Sequence, residues 1–224
     1  MTLPRDVGQW NDELAREHDI NDYYERSHPL IRWIERRRLE HIRSLLDVRP
    51  GQHLLEVGCG GGHVLRLFPE AELCGVDVSA VMLEKARQNL AGYRVTLHQG
   101  ELGSIGLAAA SFDQVVCTEV LEHVVEPRGV LEHMRRLLRP DGVAVITMPN
   151  DPLINRLKQI AYKAALGRRG EAGRVAWGGD RYHLHVWTTA QMRELLRPWF
   201  RITAERFAPH SILPIRCCFR CIPR

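Results

Sequence analysis

Leu54-Leu55-Glu56-Val57-Gly58-Cys59-Gly60-Gly61-Gly62 decides how this chain is read. An apolar run ends in an acid, and glycines then stand at positions 58, 60 and 62. Such a run is a buried strand, and glycine at its exit lets the backbone turn sharply and press its N–H groups toward a ligand. A dinucleotide loop would carry its third glycine three residues after the second, for helix packing and for the pyrophosphate; here that position, counted from Gly60, is His63. The spacing points to a small ligand without a pyrophosphate.

Outward from this loop, Leu73-Cys74-Gly75-Val76-Asp77-Val78-Ser79 is a second apolar strand closed by an acid, just before a serine suited to cap a helix. In doubly wound folds a carboxylate at that place accepts from both hydroxyls of a ribose, the role expected of Asp77. Val95-Thr96-Leu97-His98-Gln99 followed by Gly100-Glu101-Leu102 reads as a third strand, and Phe112 to Thr118 as a fourth. Leu138-Arg139-Pro140-Asp141-Gly142 stops a helix, which places a fifth strand at Gly142 to Met148. Strands alternating with helical segments predict an α/β, doubly wound, mostly parallel sheet.

The ordered set Glu56-x-Gly58-x-Gly60-x-Gly62, Asp77, Gly100-Glu101-Leu102 and the fourth-strand segment ending in Thr118 resembles the class I S-adenosylmethionine-dependent methyltransferases over residues 50 to 150. The resemblance implies a seven-stranded Rossmann-like sheet. It also implies a cofactor site for S-adenosylmethionine built from Glu56, Gly58, Cys59, Gly60, Gly62, Asp77, Val78, Met82, Glu101, Leu102 and Thr118. In that family the third-strand acid accepts from the exocyclic amine of adenine and is usually Asp, so Glu101 is one methylene longer than the pattern.

With 224 residues, 45% of them hydrophobic, the chain can bury one full core, and it is expected to form a single domain. Within it, residues 1–49 form an N-terminal helical lid, 50–149 the cofactor-binding core, 150–187 a cap insertion and 188–224 the last part of the sheet. No apolar run approaches twenty residues, and Trp10-Asn11-Asp12-Glu13 is too polar for a leader, so a cytoplasmic protein is expected. Its six cysteines read as reduced thiols. The tail cluster Cys217, Cys218, Cys221 has no second Cys or His pair nearby, and zinc is not expected there. A net charge of +4 and few aromatics argue against nucleic acid as a partner.

Residues 20 to 47 carry Ile31, Ile34, Ile42, Leu45 and Leu46 at helical spacing among arginines, a basic helix packing on the core; Tyr23, Tyr24 and Arg26 are lid candidates in the resembling family. The 150–187 insertion exceeds an ordinary connection and stands where α/β sheets build substrate sites. Its segment Pro152 to Leu166 has Leu153, Leu157, Ile160, Ala161 and Ala164 on one stripe, with Arg156, Lys158 and Lys163 elsewhere and the basic Gly167-Arg168-Arg169-Gly170 behind. Two readings stand: a helix over the cleft, or peripheral contact with an anionic membrane. Thr188 to Pro198 is a helix, Phe200 to Phe207 a strand, and Ser211 to Ile222 a last antiparallel strand.

Glu119-Val120-Leu121-Glu122-His123 follows the fourth strand. If it is helical, Glu119, Glu122 and His123 share one face, a set suited to Mg2+ or Mn2+. The segment is similar to the Glu-x-x-Glu-His run of ubiquinone-biosynthesis O-methyltransferases and of RNA 3′-terminal 2′-O-methyltransferases, where it is associated with metal. His185, in Tyr182-His183-Leu184-His185-Val186-Trp187-Thr188, resembles the histidine that completes the RNA enzymes' set. The metal ligands expected are Glu119, Glu122, His123 and His185; the catalytic residues are His123, Glu122 and His185, with His123 as a direct base if no ion binds. The function expected is O-methylation of a small hydroxylated acceptor, phenolic or lipid-soluble. Terminal RNA ribose methylation and a cofactor-binding regulator without turnover are the alternatives.

Overall fold

The computed structural model describes Asp12, Glu13, Arg16, residues 26–166 (side chains to 161) and residues 183–224. Tyr23, Tyr24 and the basic stretch 167–170 lie outside the described residues. Seven strands form one sheet: β1 (His53–Val57), β2 (Glu72–Asp77), β3 (Val95–Gln99), β4 (Phe112–Thr118), β5 (Leu138–Pro149), β6 (Phe200–His210) and β7 (Leu213–Pro223). Their order is β3-β2-β1-β4-β5-β7-β6. The first five are mutually parallel, and β7 runs antiparallel between β5 and β6.

The helices cover both faces, which is why the central strands are apolar without alternation. Helices α1 (Pro29–Leu46) and α2 (Ala80–Asn89) bring Ile42, Leu45, Leu46, Leu83 and Ala86 against Leu54, Val116, Val145 and Cys218. On the opposite face, α3 (Pro127–Leu137) and α5 (Thr189–Leu196) bring Leu131, Met134, Leu137, Met192 and Leu196 against Leu55, Cys117, Ile146 and Phe219. Helix α4 (Asp151–Leu166) leaves the end of β5. The capping box at Thr188, with Gln191 returning its side chain to the Thr188 backbone, starts α5 as the Thr-x-x-Gln spacing requires.

Two expectations need correction. The fifth strand begins at Leu138, not Gly142, because Leu138 pairs with Phe112 before a register shift lets Gln114 pair with Val143. The tail cysteines are not a cluster: Cys217 and Cys221 join one core and Cys218 the other, as neighbours on a strand must point to opposite faces. Among the described residues no helix is long and apolar enough to cross a membrane.

Candidate active site

The sheet order reverses between β1 and β4, and the crevice at such a switch point, beyond the carboxyl ends of the strands, is where doubly wound folds hold ligands. Glu56 and the glycine loop leave β1 there, Asp77 ends β2 and Thr118 ends β4. The three glycines of the loop have separate reasons. Gly58 has φ +68° and a Cβ on it would lie 2.3 Å from Val120; Gly62 has φ +77° and a Cβ would meet Leu90 at 2.8 Å. Gly60, at φ +48°, faces open space. Only Gly60 therefore keeps the cradle open, while the others admit neighbours. The loop leads into a short 3-10 turn at Leu65–Leu67 rather than a long helix.

Asp77 is fixed in place by two backbone N–H groups. Its Oδ2 accepts from Gly60 N–H at 2.8 Å and its Oδ1 from Ser79 N–H at 2.9 Å, and each oxygen keeps a further lone pair. Burial raises its pKa, opposed by these two N–H bonds and helped by the charge of Asp12. Ser79 caps α2 by accepting from Met82 N–H. Asp12 bonds the Ser79 hydroxyl at 2.5 Å and accepts from Val81 N–H at 3.2 Å, a contact that sequence distance hides. Val78 and Met82 are half-buried beside it, Leu102 is buried and Glu101 exposed. Glu56 is buried, its Oε2 without a hydrogen-bond partner among the described residues, and burial drives its carboxyl well above the usual range, with Leu65, Arg38 and Thr118 opposing. Cys59 is buried behind the loop.

Asp77→Ala removes the acceptor of the Gly60 and Ser79 N–H bonds. It is expected to weaken cofactor binding by about 1.5 to 3 kcal/mol, roughly 10- to 150-fold. Calorimetry with S-adenosylhomocysteine reads this directly; unchanged affinity removes Asp77 from the site.

At the mouth of β4 the helical expectation fails. Residues 119–123 form a bend and a turn, with Glu119 at φ +54°. Glu119 turns away from its neighbours: its Oε1 accepts from the Thr147 hydroxyl at 2.9 Å and its Oε2 pairs with Arg216 Nε at 3.1 Å. His185 is likewise engaged elsewhere, its Nε2 bonded to Val124 O at 3.0 Å and its ring stacked on Trp187. The groups brought together are Glu122, His123 and His183, whose candidate ligand atoms lie within 4.8 Å of one another. His183 replaces His185 because the backbone N–H groups of both Leu184 and His185 bond the Glu122 carbonyl, which tucks the preceding residue inward.

Glu122 is 1% exposed, and neither carboxylate oxygen has a hydrogen-bond partner among the described residues. Burial pushes its carboxyl well above the usual range; Glu119 adds to this and Arg216 opposes it. His123 and His183 meet edge to face, with ring centroids 4.8 Å apart. His183 Nδ1 lies 2.7 Å from Asp151 Oδ2, and both side chains are nearly buried. Asp151 is a functional candidate that the sequence reading missed. Its signal was position: it directly follows Pro149-Asn150 at the carboxyl end of β5, where α/β folds place reactive groups.

A glycine loop, a carboxylate that ends β2 and a carboxylate–imidazole cluster thus stand at the carboxyl edge of one α/β sheet. Residues 55–146 match the methyltransferase domain family model. The ubiquinone biosynthesis O-methyltransferase of Haemophilus ducreyi is 32% identical over 125 residues, 52% of this chain and 53% of that protein. The chain thus spans about half the length of the relatives it matches. In solved structures, the fold is shared with N-methyltransferase NodS of Bradyrhizobium japonicum bound to S-adenosylhomocysteine (TM-score 0.68, 19% identity, 97% of this chain and 99% of that one). It is shared too with magnesium protoporphyrin IX methyltransferase of Synechocystis, also with S-adenosylhomocysteine (TM-score 0.69, 18% identity, 97% and 98%). Residues 55–146 thus match a methyltransferase domain, and the relatives and shared fold support a class I S-adenosylmethionine-dependent methyltransferase.

Proposed function

We propose that this protein transfers the methyl group of S-adenosylmethionine to an oxygen of a small hydroxylated acceptor. The observation that carries the reading is the Glu122, His123 and His183–Asp151 cluster standing across the switch-point crevice from the glycine loop. The open face at Gly60 and the doubly oriented Asp77 fit the cofactor, with Glu56, Gly58, Cys59, Gly62, Val78, Met82, Glu101, Leu102 and Thr118 around them. Bound there, the cofactor supplies an activated methyl group.

An acceptor hydroxyl is a weak nucleophile until its proton leaves, and this chain offers a place for that proton. Asp151 on His183 Nδ1 orients the ring. His123 meets that ring and forms the second half of an imidazole pair. Glu122, with both oxygens unpartnered among the described residues, bonds the acceptor oxygen.

The same donor set, one carboxylate and two imidazoles, suits a borderline or hard divalent cation such as Mg2+ or Mn2+, which would lower the acceptor's pKa. Glu122, His123 and His183 would hold it, in place of the set with Glu119 and His185. The acceptor is read as phenolic or lipid-soluble. On α4, Leu153 and Leu157 are half-buried and Ile160 is 56% exposed beside exposed Arg156, a surface that would present the cleft to an anionic bilayer.

The test is methyl transfer from labelled S-adenosylmethionine to catechols, hydroxylated quinone precursors and RNA 3′ ends, with and without anionic vesicles. Transfer to a phenol is expected, with His183→Ala lowering the rate by about 10²- to 10⁴-fold. Loss on thorough chelation, restored by Mg2+ or Mn2+, selects the ion; survival selects the imidazole pair. Labelling of RNA alone overturns the small-molecule reading, and cofactor binding without transfer to any acceptor makes the chain a regulator.

A further inference from the structure

Arg216 pairs across the ladder with Pro149, the last residue of β5, and so stands at the carboxyl edge of the sheet. Its Nη2 lies 3.0 Å from Glu35 Oε1 on α1, and its Nε 3.1 Å from Glu119 Oε2. Glu35 in turn accepts from Arg38 Nε at 2.7 Å, and Glu119 from Thr147 at 2.9 Å. Charges thus alternate from α1 through β7 to the turn after β4, and the line ends on a β5 hydroxyl. At its other end, the Arg38 charge acts on Glu56 of the cofactor loop. Glu35 and Arg38 are 2% and 3% exposed, so this is an interior feature.

Buried ion pairs add little net stability against apolar side chains of the same size, because desolvation offsets attraction. What such a line does is select one arrangement, since removing one member strands another charge in the interior. Glu119 needs selecting. Its left-handed backbone costs a residue with a Cβ about 1 kcal/mol or more, and that backbone sets the course of the chain into Glu122 and His123.

We propose that Arg216 is a positioning residue: by holding Glu119 it fixes the Glu119–His123 turn in the conformation that sets Glu122 and His123 against His183, and it makes α1 part of the acceptor site through Glu35. The inference rests on the reading that this turn faces the acceptor. Helix α1 and strand β7 both lie outside residues 55–146, the methyltransferase-domain segment. The acceptor side is therefore braced by elements beyond that segment.

Amide hydrogen exchange on the full chain tests this. Glu119 N–H bonds Thr147 O and His123 N–H bonds Val120 O, so both report the turn; Gly60 and Ser79 N–H, on Asp77, report the cofactor side. Arg216→Met is expected to speed exchange at Glu119 and His123 by about tenfold or more and to leave Gly60 and Ser79 within about twofold. Arg216→Lys, which keeps the cation, is expected to recover most of the protection. Glu35→Gln, acting from α1, is expected to speed the same two amides, and its effect is expected to be smaller in a Glu119→Gln background. If Arg216→Met does not fold, the Lys and Glu35 variants carry the test. A uniform rise over β1, β2 and β4, or no change at Glu119 and His123, overturns the proposal. Calorimetry with S-adenosylhomocysteine on the same samples separates the two readings: absence of binding by the unaltered protein counts against methyl transfer and leaves the exchange result standing.

Discussion

If a divalent ion carries the chemistry, Glu122→Gln is expected to abolish methyl transfer, by at least about 10³-fold, and on either route it is expected to make the protein more heat-stable in mildly alkaline solution. Both expectations come from one buried carboxyl. In the fold, burial and the neighbouring Glu119 hold the Glu122 proton well above the usual carboxylate range. In the unfolded chain the same group ionises normally. Its pKa is raised on folding, so its favourable contribution is complete at acidic pH, below the unfolded value, and is lost as the pH climbs toward the folded one. The slope is at most about 1.4 kcal/mol per pH unit. Glutamine has the same shape and no proton to lose, so the variant escapes this penalty. Thermal denaturation should show nearly equal midpoints for the two proteins at about pH 4, below the unfolded value, and a higher midpoint for the variant at about pH 8. Parallel curves would mean that Glu122 is ionised in the folded protein, and intact turnover would remove it from the chemistry.

Gly58→Ala is expected to cost about 2 to 5 kcal/mol of stability and to damage cofactor and acceptor sites together. The left-handed φ of +68° accounts for about 1 to 2 kcal/mol, and overpacking adds about 1 to 3, because the new methyl group would lie 2.3 Å from Val120 Cγ2. Val120 belongs to the Glu119–His123 turn, so relief of the clash moves the turn that carries Glu122. Gly60→Ala is the control: its φ is also positive but its Cβ would meet nothing within 4 Å, so only backbone strain and the ligand are affected. Denaturant titration of Gly58→Ala, with and without Val120→Ala, checks the account. Recovery of part of the lost stability in the double variant is expected, and none would place the cost in the backbone alone.

The places of the glycine loop and of Asp77 were legible because strand ends and glycines are local signals. Val57, Gly58 and Asp77 announce their places by what stands next to them. The arrangement after β4 was not, for two physical reasons. Glu-x-x-Glu-His read as one helical face, yet tertiary partners, Thr147 and Arg216, pull Glu119 into a left-handed bend that no propensity favours. The choice between His183 and His185 turned on which backbone groups reach the Glu122 carbonyl, and nothing in the spacing of two histidines encodes that. The salt-bridge line from Arg38 to Glu119 joins residues far apart in the chain, and composition alone reads those arginines as a solvated face. The β6–β7 pair, by contrast, was readable as two alternating runs after a helix; only its full length was missed.

All six cysteines are buried, and their thiols are raised in pKa: Cys74 and Cys217 to about 11, Cys221 to about 12, and Cys59, Cys117 and Cys218 higher, in each case first by desolvation. Because the thiolate is the reacting species, the native chain is nearly silent toward alkylating reagents and becomes reactive where it opens. The cysteines therefore act as a set of internal clocks. Cys218 times the opening of the α1–α2 face, Cys117, Cys217 and Cys221 that of the α3–α5 face, and Cys59 the glycine loop itself. Labelling rates at Cys59 that fall when a nucleoside ligand is added, while those at Cys221 stay constant, would measure occupancy of the crevice without knowledge of the acceptor.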